Sequence, residues 1–281
     1  MTLREELSFL LTNRIPRRWL TLAMGRISPI EQPLFRSAAL GLWKAFSDLD
    51  LSDARKGEFT SLQDCFTREL RDGARPIAAD PGTLVSPCDA IVGACGTVER
   101  GTVLQAKGFP YAVADLLGDA ALARAYEGAQ FVTLRITPTM YHRFHAPYDL
   151  AVEHVTYISG DTWNVYPIAL KKVERLFCRN ERAILRCRLT PSGAPMLLVP
   201  VAAILVASIR LHCADVLLHL KYAGPNEIPC TASYTKGQEM GWFQHGSTII
   251  AFVPKGMSLH ERVHEGQRIR MGEPLIRSGV R

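Results

Sequence analysis

The 281-residue chain has seven cysteines, at 65, 88, 95, 178, 187, 213 and 230, but no C-x-x-C pair among them. An odd, scattered set excludes a disulfide framework and a cysteine-built zinc site, and fits buried thiols in a reducing compartment. There is no internal repeat or low-complexity tract. Near the N-terminus Glu5 and Glu6 precede a short apolar stretch broken by arginine. The uninterrupted apolar region and small-residue cleavage site of a secretory signal are therefore missing. Residues 189–209 carry no charge, but Pro191, Gly193, Pro195 and Pro200 interrupt them. A spanning helix needs about 20 unbroken apolar residues, so two buried strands around a turn are expected instead.

The net charge is +6, a modest basic excess that suits an anionic partner. No nucleic-acid motif accompanies it, and no nucleic acid is expected. The first fifty residues have helical periodicity. Thr2 and Glu5 form a capping box ahead of Leu3, Leu7, Leu10 and Leu11 on one face. Pro16 opens a second helix with Trp19, Leu20, Ala23 and Met24, closed by Gly25. A third, over 33–47, stacks Leu34, Ala38, Leu42 and Phe46 at four-residue spacing, with arginines and Lys44 among the three. Such helices either pack on the protein's own core or lie in a membrane interface.

From about residue 80 short β-rich runs dominate, among them TLVSPCDAIVGACGTV, QFVTLRITP, AVEHVTYISG and STIIAFVP. Two short helices are expected at 112–117 and 120–126. In the tail VHEGQRIRMGEPL, Gly266 and Gly272 lie six apart with Val263, Ile269 and Leu275 around them. Glycines so placed permit the tight reversals of barrel-sandwich folds. The expected class is α+β, a strand-rich barrel-sandwich-like core behind amphipathic N-terminal helices. Residues 1–50 are expected to form the N-terminal amphipathic helices and 51–281 the strand-rich domain.

Three places could carry chemistry: Asp89 in SPCDAIVG, His142 and His145 in MYHRFHAP, and Ser247 in MGWFQHGSTIIAF. Each has a plain structural explanation. An Asp after Pro is commonly a turn residue. Two histidines three apart could bind a metal on a helix, but the flanking residues read as strand and no third ligand is evident. Together the three supply an acid, a base and a hydroxyl. A serine hydrolase fits poorly, because HGSTI is not G-x-S-x-G and a strand, not a helix, follows Ser247. A lipoyl- or biotin-carrier module would need a lysine at a hairpin tip in the tail, and none stands there.

Six segments in order carry a resemblance: FTRELRDGARPI, SPCDAIV, LQAKGFPYAVADLLG, YHRFHAP, FCRNERA and KGQEMGWFQHGSTII. Over residues 59–275 the chain resembles the phosphatidylserine decarboxylase family, pyruvoyl-dependent enzymes of prokaryotic type that cleave themselves at a Gly-Ser bond. The resemblance implies that the Ser247 hydroxyl attacks the Gly246 carbonyl, turning the amide into an ester. Gly246 has no Cβ to block that approach. His145 is then the base and Asp89 orients it, base catalysis of this kind being worth about 10²–10⁴-fold. β-Elimination and hydrolysis release ammonia and leave a covalent pyruvoyl group at Ser247. The products are a large chain, 1–246, and a small chain, 247–281, which stay together.

The resemblance further implies a Schiff base between that ketone and the amine of phosphatidylserine, loss of CO₂, and phosphatidylethanolamine as product. His142 either donates a proton or positions the carboxylate in this phase, or else holds the His145 loop. His245 stands where the family carries an apolar residue or glycine, and Cys88 where a small residue is expected. A lipid substrate favours the interfacial use of residues 1–50 on an anionic membrane surface, at the cytoplasmic face and peripheral. The resemblance leaves a homodimer open. The alternatives are a pyruvoyl decarboxylase of another amino-acid or serine-lipid substrate, and an unprocessed lipid-binding protein.

Overall fold

A computed structural model describes residues 16–106, 109–190, 192–205, 208–244, 247–253 and 255–277. The capping box at Thr2, the helix expected after it, and both His245 and Gly246 lie outside the described residues. The strands, in chain order, are β1 Thr83–Val85, β2 Ala90–Thr97, β3 Thr102–Ala106, β4 Phe109–Ala112, β5 Gln130–Ile136, β6 Arg143–His145, β7 Leu150–Ile158, β8 Arg182–Leu189 and β9 Pro195–Ala202. They continue as β10 Ser208–Leu211, β11 Val216–His219, β12 Glu227–Tyr234, β13 Glu239–Phe243, β14 Ser247–Val253, β15 Ser258–Leu259, β16 Arg268–Ile269 and β17 Pro274–Arg277.

Eight of them form one antiparallel sheet in the order β12-β7-β8-β9-β14-β5-β2-β16. Every residue of β14 is buried, and it is hydrogen-bonded on both sides, to β5 and β9. Side chains alternate across a strand. Ile249, Ala251 and Val253 accordingly enter one apolar cluster and Ile250 and Phe252 another. The first cluster also takes Phe144, Ile209, Leu211, Met240 and Phe243 from the β11-β10-β13-β6 sheet, and Leu84, Leu275 and Ile276 from the β1-β17-β15 sheet. The second is closed by short helices, Val113–Leu117, Ala120–Ala125, Pro167–Leu170 and Leu176–Arg179, and by the β3-β4 hairpin. A sheet covered on both faces explains why β9 and β14 read as continuous apolar runs instead of alternating ones. The protein is thus α+β and strand-rich, and the described strands do not close into a barrel.

Residues 189–209 contain the end of β8, all of β9 and the start of β10. No helix among the described residues is long and apolar enough to cross a membrane. The helix Arg17–Ile27 runs two residues past the expected stop at Gly25, because Ser28 N–H still finds Met24 O at 2.8 Å. It is docked by Arg17, which pairs with Asp161 at 2.7 Å and lies 3.6 Å from the Trp163 ring centre. The helix Pro33–Phe46 packs through Leu40 and Trp43, with Trp43 stacked on Phe66 at 4.1 Å. Its other apolar stripe faces outward: Leu34 is 79% exposed, Leu42 64% and Phe46 83%.

The tail glycines both turn the chain in the left-handed region, at φ +88°. They differ in surroundings. A Cβ on Gly272 would lie 2.5 Å from Pro76 O, whereas nothing lies within 4 Å of one on Gly266. Gly266→Ala is expected to cost about 1–2 kcal/mol from backbone strain alone. Gly272→Ala should cost clearly more, because it must also displace backbone. Denaturant unfolding of the two variants side by side checks the order; equal losses would refute it.

Candidate active site

Ser247 is the first residue of β14, laddered to Ile136 at the end of β5 and to Ala202 at the end of β9. It is fully buried, and its Oγ has no hydrogen-bond partner among the described residues. An unsatisfied buried hydroxyl costs about 1–3 kcal/mol, and Thr248 Oγ1 beside Ser247 shares that condition among the described residues. Of the two ladder partners of Ser247, Ala202 is itself braced. Asn180 Nδ2 donates to Ala202 O at 2.8 Å, and Ala202 N–H donates to Glu181 O at 2.8 Å. On the other side Ile136 runs directly into the loop 137–141 that ends at His142.

His142 reaches the same end of the sheet by a second route. Phe243 N–H, on the last residue of β13, donates to His142 O at 3.0 Å, four positions before Ser247. The imidazole is fully buried, with the edge of Phe66 against it at 5.4 Å between ring centres. Its Nδ1 lies 2.8 Å from Met140 O. A carbonyl can only accept, so in the neutral ring Nδ1 carries the proton and Nε2 is the basic atom.

His145 sits on β6 opposite Glu239. Its Nδ1 likewise faces a carbonyl, Gly237 O at 2.9 Å, which leaves Nε2 to accept from the Tyr141 hydroxyl at 2.9 Å. Burial pushes the His145 imidazole below its ordinary value, only partly opposed by the Gly237 carbonyl and the Glu239 and Asp89 charges. The ring is therefore neutral at neutral pH. Burial also raises the Tyr141 phenol, which keeps its proton.

Asp89, next to the start of β2, does not hydrogen-bond His145. Arg75 grips its carboxylate side-on, Nε to Oδ1 at 2.9 Å and Nη2 to Oδ2 at 2.7 Å, while Met271 N–H donates to Oδ1 at 2.9 Å. The other edge of Arg75 reaches Asp53 at 2.8 Å. Asp89 and His145 are still close in the fold, since His145 N–H donates to Pro87 O at 2.8 Å. The group that orients the His145 ring is the Gly237 carbonyl.

Two cavities meet this cluster. One, of about 570 Å³, includes Arg68, Arg75, Asp89, Met140 and Tyr141 in its wall. The other, of about 410 Å³, shares Arg75 and Tyr141 and reaches His145 and Gly237. Sequence reasoning passed over Arg68, Arg75 and Tyr141 as individuals, although each lies in or beside a segment it singled out. Their roles depend on partners distant in the chain.

Fold and site together define an α+β protein in which a buried serine opens the central strand, with His142 tied to the same end of the sheet. A model of the phosphatidylserine decarboxylase family matches residues 62–277. The chain is 33% identical to a phosphatidylserine decarboxylase proenzyme of Brevibacillus brevis over 94% of its own length and 95% of that protein's. It is 33% identical to one of Aliivibrio salmonicida, with 92% and 94% covered, and 31% identical to one of Acinetobacter baumannii, with 97% and 98% covered. The chain belongs to the phosphatidylserine decarboxylase family.

Glu181, which helps to brace Ala202, is fully buried, and its Oε1 accepts from the Tyr157 hydroxyl at 2.7 Å. Burial raises its carboxyl from 4.5 to about 7, against the lowering effects of Tyr157 and Arg18. With the folded value above the unfolded one, its contribution is complete below about pH 4.5 and is lost as pH rises towards 7. Glu181→Gln should flatten the fall in unfolding free energy across that window, a difference on the order of 3 kcal/mol. An unchanged pH slope would show that Glu181 is not the group responsible.

Proposed function

We propose that the chain is a phosphatidylserine decarboxylase proenzyme that cuts itself between Gly246 and Ser247. The mature protein then removes CO₂ from phosphatidylserine and leaves phosphatidylethanolamine. The observation that carries this reading is the buried Ser247 hydroxyl without a partner among the described residues, at the head of the central strand. A nucleophile that no other group occupies adjoins the bond to be broken.

Self-cleavage begins when Ser247 Oγ attacks the Gly246 carbonyl carbon, the hydroxyl proton leaves, and the acyl group passes from nitrogen to oxygen. A serine hydroxyl needs a base for this. His145 suits the role because it is neutral, with Nδ1–H fixed on Gly237 O and Nε2 as its basic atom. Asp89 acts by its charge and, through Met271, by holding the 247–281 segment in place. Removal of the Ser247 Cα proton then expels the 1–246 carboxylate, and water replaces the nitrogen as ammonia. The two chains, 1–246 and 247–281, remain associated, because β14 is paired along its length with β5 and β9 of the large chain.

A buried position at the head of β14, at the end of the sheet where His142 is also buried, fits the pyruvoyl group that this reaction leaves at Ser247. That carbonyl supplies the electron sink for loss of CO₂. His142, locked by Met140 O, holds and returns a proton at Nε2 during decarboxylation. Intact-mass measurement tests the division of roles. The native protein should yield two chains, the smaller beginning at a pyruvoyl derived from Ser247, and Ser247→Ala a single one. His145→Ala should cleave about 10²–10⁴-fold more slowly. His142→Ala should cleave but decarboxylate poorly. Cleavage of His145→Ala at the native rate would remove His145 from the role of base.

The lipid is reached at a membrane surface by the outward stripe of Leu34, Ala38, Leu42 and Phe46, with Trp19 on the neighbouring helix. Apolar side chains presented to water in a row are stabilised by dipping into an interface, and nearby arginines attract anionic headgroups. A Leu34→Glu/Leu42→Glu/Phe46→Glu variant should lose cosedimentation with phosphatidylserine-containing vesicles while its melting temperature stays near native. Undiminished binding would place the membrane contact elsewhere.

A further inference from the structure

Arg68 is 4% exposed, yet no carboxylate lies within ion-pair distance of it among the described residues. Its guanidinium donates only to two backbone carbonyls, Cys65 O at 3.2 Å from Nη1 and Thr139 O at 3.0 Å from Nη2. Four carboxylates share its cavity: Arg75 engages Asp53 and Asp89, and Ser52 N–H donates to Asp50 Oδ1 at 2.9 Å. Neither these three nor Asp48 forms an ion pair with Arg68 among the described residues. Buried cations are ordinarily paired, because taking one out of water without an opposite charge costs several kcal/mol. A planar guanidinium with donors left over is the side chain best shaped to receive an oxyanion.

Its position is as informative as its isolation. Arg68 lines the cavity of about 570 Å³ together with Thr137, Thr139, Met140 and Tyr141. Those residues form the loop that joins Ile136, the ladder partner of Ser247, to His142. Two residues before Arg68, Phe66 packs on the His142 ring, and Thr67 O accepts from Arg143 Nε at 2.9 Å. The segment 66–68 is thereby fixed against the reacting end of the sheet, with the guanidinium on the cavity side. Arg268 and Arg270 stand on the wall of the same cavity, and both belong to the 247–281 segment. A purely structural clamp would need only the two carbonyl contacts, and an uncharged donor could make them without burying a cation.

We infer that Arg68 is the receptor for an oxyanion of the substrate headgroup, held in the cavity in front of the His142 loop. The inference rests on the proposed activity for the identity of the ligand, and on Arg68 and its cavity for the anion site itself. A serine phospholipid offers two such groups, the phosphodiester and the serine carboxylate, with the same chemistry towards a guanidinium.

The test compares native protein with Arg68→Gln and Arg68→Lys at matched melting temperatures, in two arms. Calorimetric titration with inorganic phosphate needs no turnover. Native protein should bind it, Arg68→Gln should bind about tenfold or more weakly, and Arg68→Lys, which keeps the charge, should fall between. Equal phosphate binding by native protein and Arg68→Gln overturns the assignment. In the second arm all three are expected to cleave themselves, and KM for glycerophosphoserine should rise about tenfold or more in Arg68→Gln. Inhibition by glycerophosphoethanolamine, which lacks the carboxylate, identifies the group. Inhibition weakened in step with KM assigns the phosphodiester, and unchanged inhibition beside a raised KM assigns the carboxylate. An unchanged KM in a cleaved, stably folded Arg68→Gln overturns the role in substrate binding. If native protein neither cleaves nor turns over but binds phosphate through Arg68, the anion site stands and the activity reading falls.

Discussion

Everything in this protein is arranged around a strand that meets no water. All seven residues of β14 are buried, with one apolar cluster on each face and a paired strand on each side. Apolar burial is the dominant favourable term in folding, and a strand covered on both faces collects it twice. The hydroxyl of Ser247 opens this strand and is carried inside with it. The surrounding packing is firm enough to tolerate unsatisfied hydroxyls there, Ser247 Oγ and Thr248 Oγ1 on β14 and Thr133 Oγ1 on β5, none with a partner among the described residues.

Around that strand the charges are sorted in a consistent way. Both histidines point Nδ1 at a backbone carbonyl, Met140 O for His142 and Gly237 O for His145, which fixes the tautomer without a carboxylate. The carboxylates that act on His145 are held by arginines, Asp89 by Arg75 and Glu239 by Arg143. His145 is thereby a neutral base in a low-dielectric setting, with the compensating charges kept one layer away. Asp89 and His145 face each other as charge and ring, not as a hydrogen-bonded couple.

What could be read in advance follows from the range of each interaction. The strand STIIAFVP, the helix from Pro33 and the glycine turns at 266 and 272 are local signals, and the structure contains each of them. The run at 189–209 could be assigned to strands because proline and glycine punctuate it. The direction of the Leu34–Phe46 stripe could not be read, since amphipathicity does not say what the face meets. Gly25 looked like a helix end, but the ladder simply continued through it. The clamp on Asp89 comes from Arg75, fourteen residues earlier, and from Met271, 182 residues later. The brace on Ala202 comes from Asn180 and Glu181. Such partners are set by strand order, which no local pattern encodes. The double-histidine and Gly-Ser segments were visible as text, but the tautomers and the isolation of Arg68 existed only once the chain had closed.

The segment 247–281 is threaded through more than one layer: β14 at the heart of the large sheet, β16 at its edge, and β15 and β17 in another sheet. Apart from β15 with β17, these pairings need strands from the chain that precedes them, and β14 has to be inserted between β9 and β5, not added to a rim. While the chain is still continuous the insertion is intramolecular, with a high effective concentration. Once severed, a 35-residue fragment would have to find a gap in the middle of a sheet from solution. A cut between 246 and 247 is therefore compatible with assembly only as its final event. For the proposed cut the fold would then be its own timer, because the serine is buried at the head of β14 only when that strand is in place.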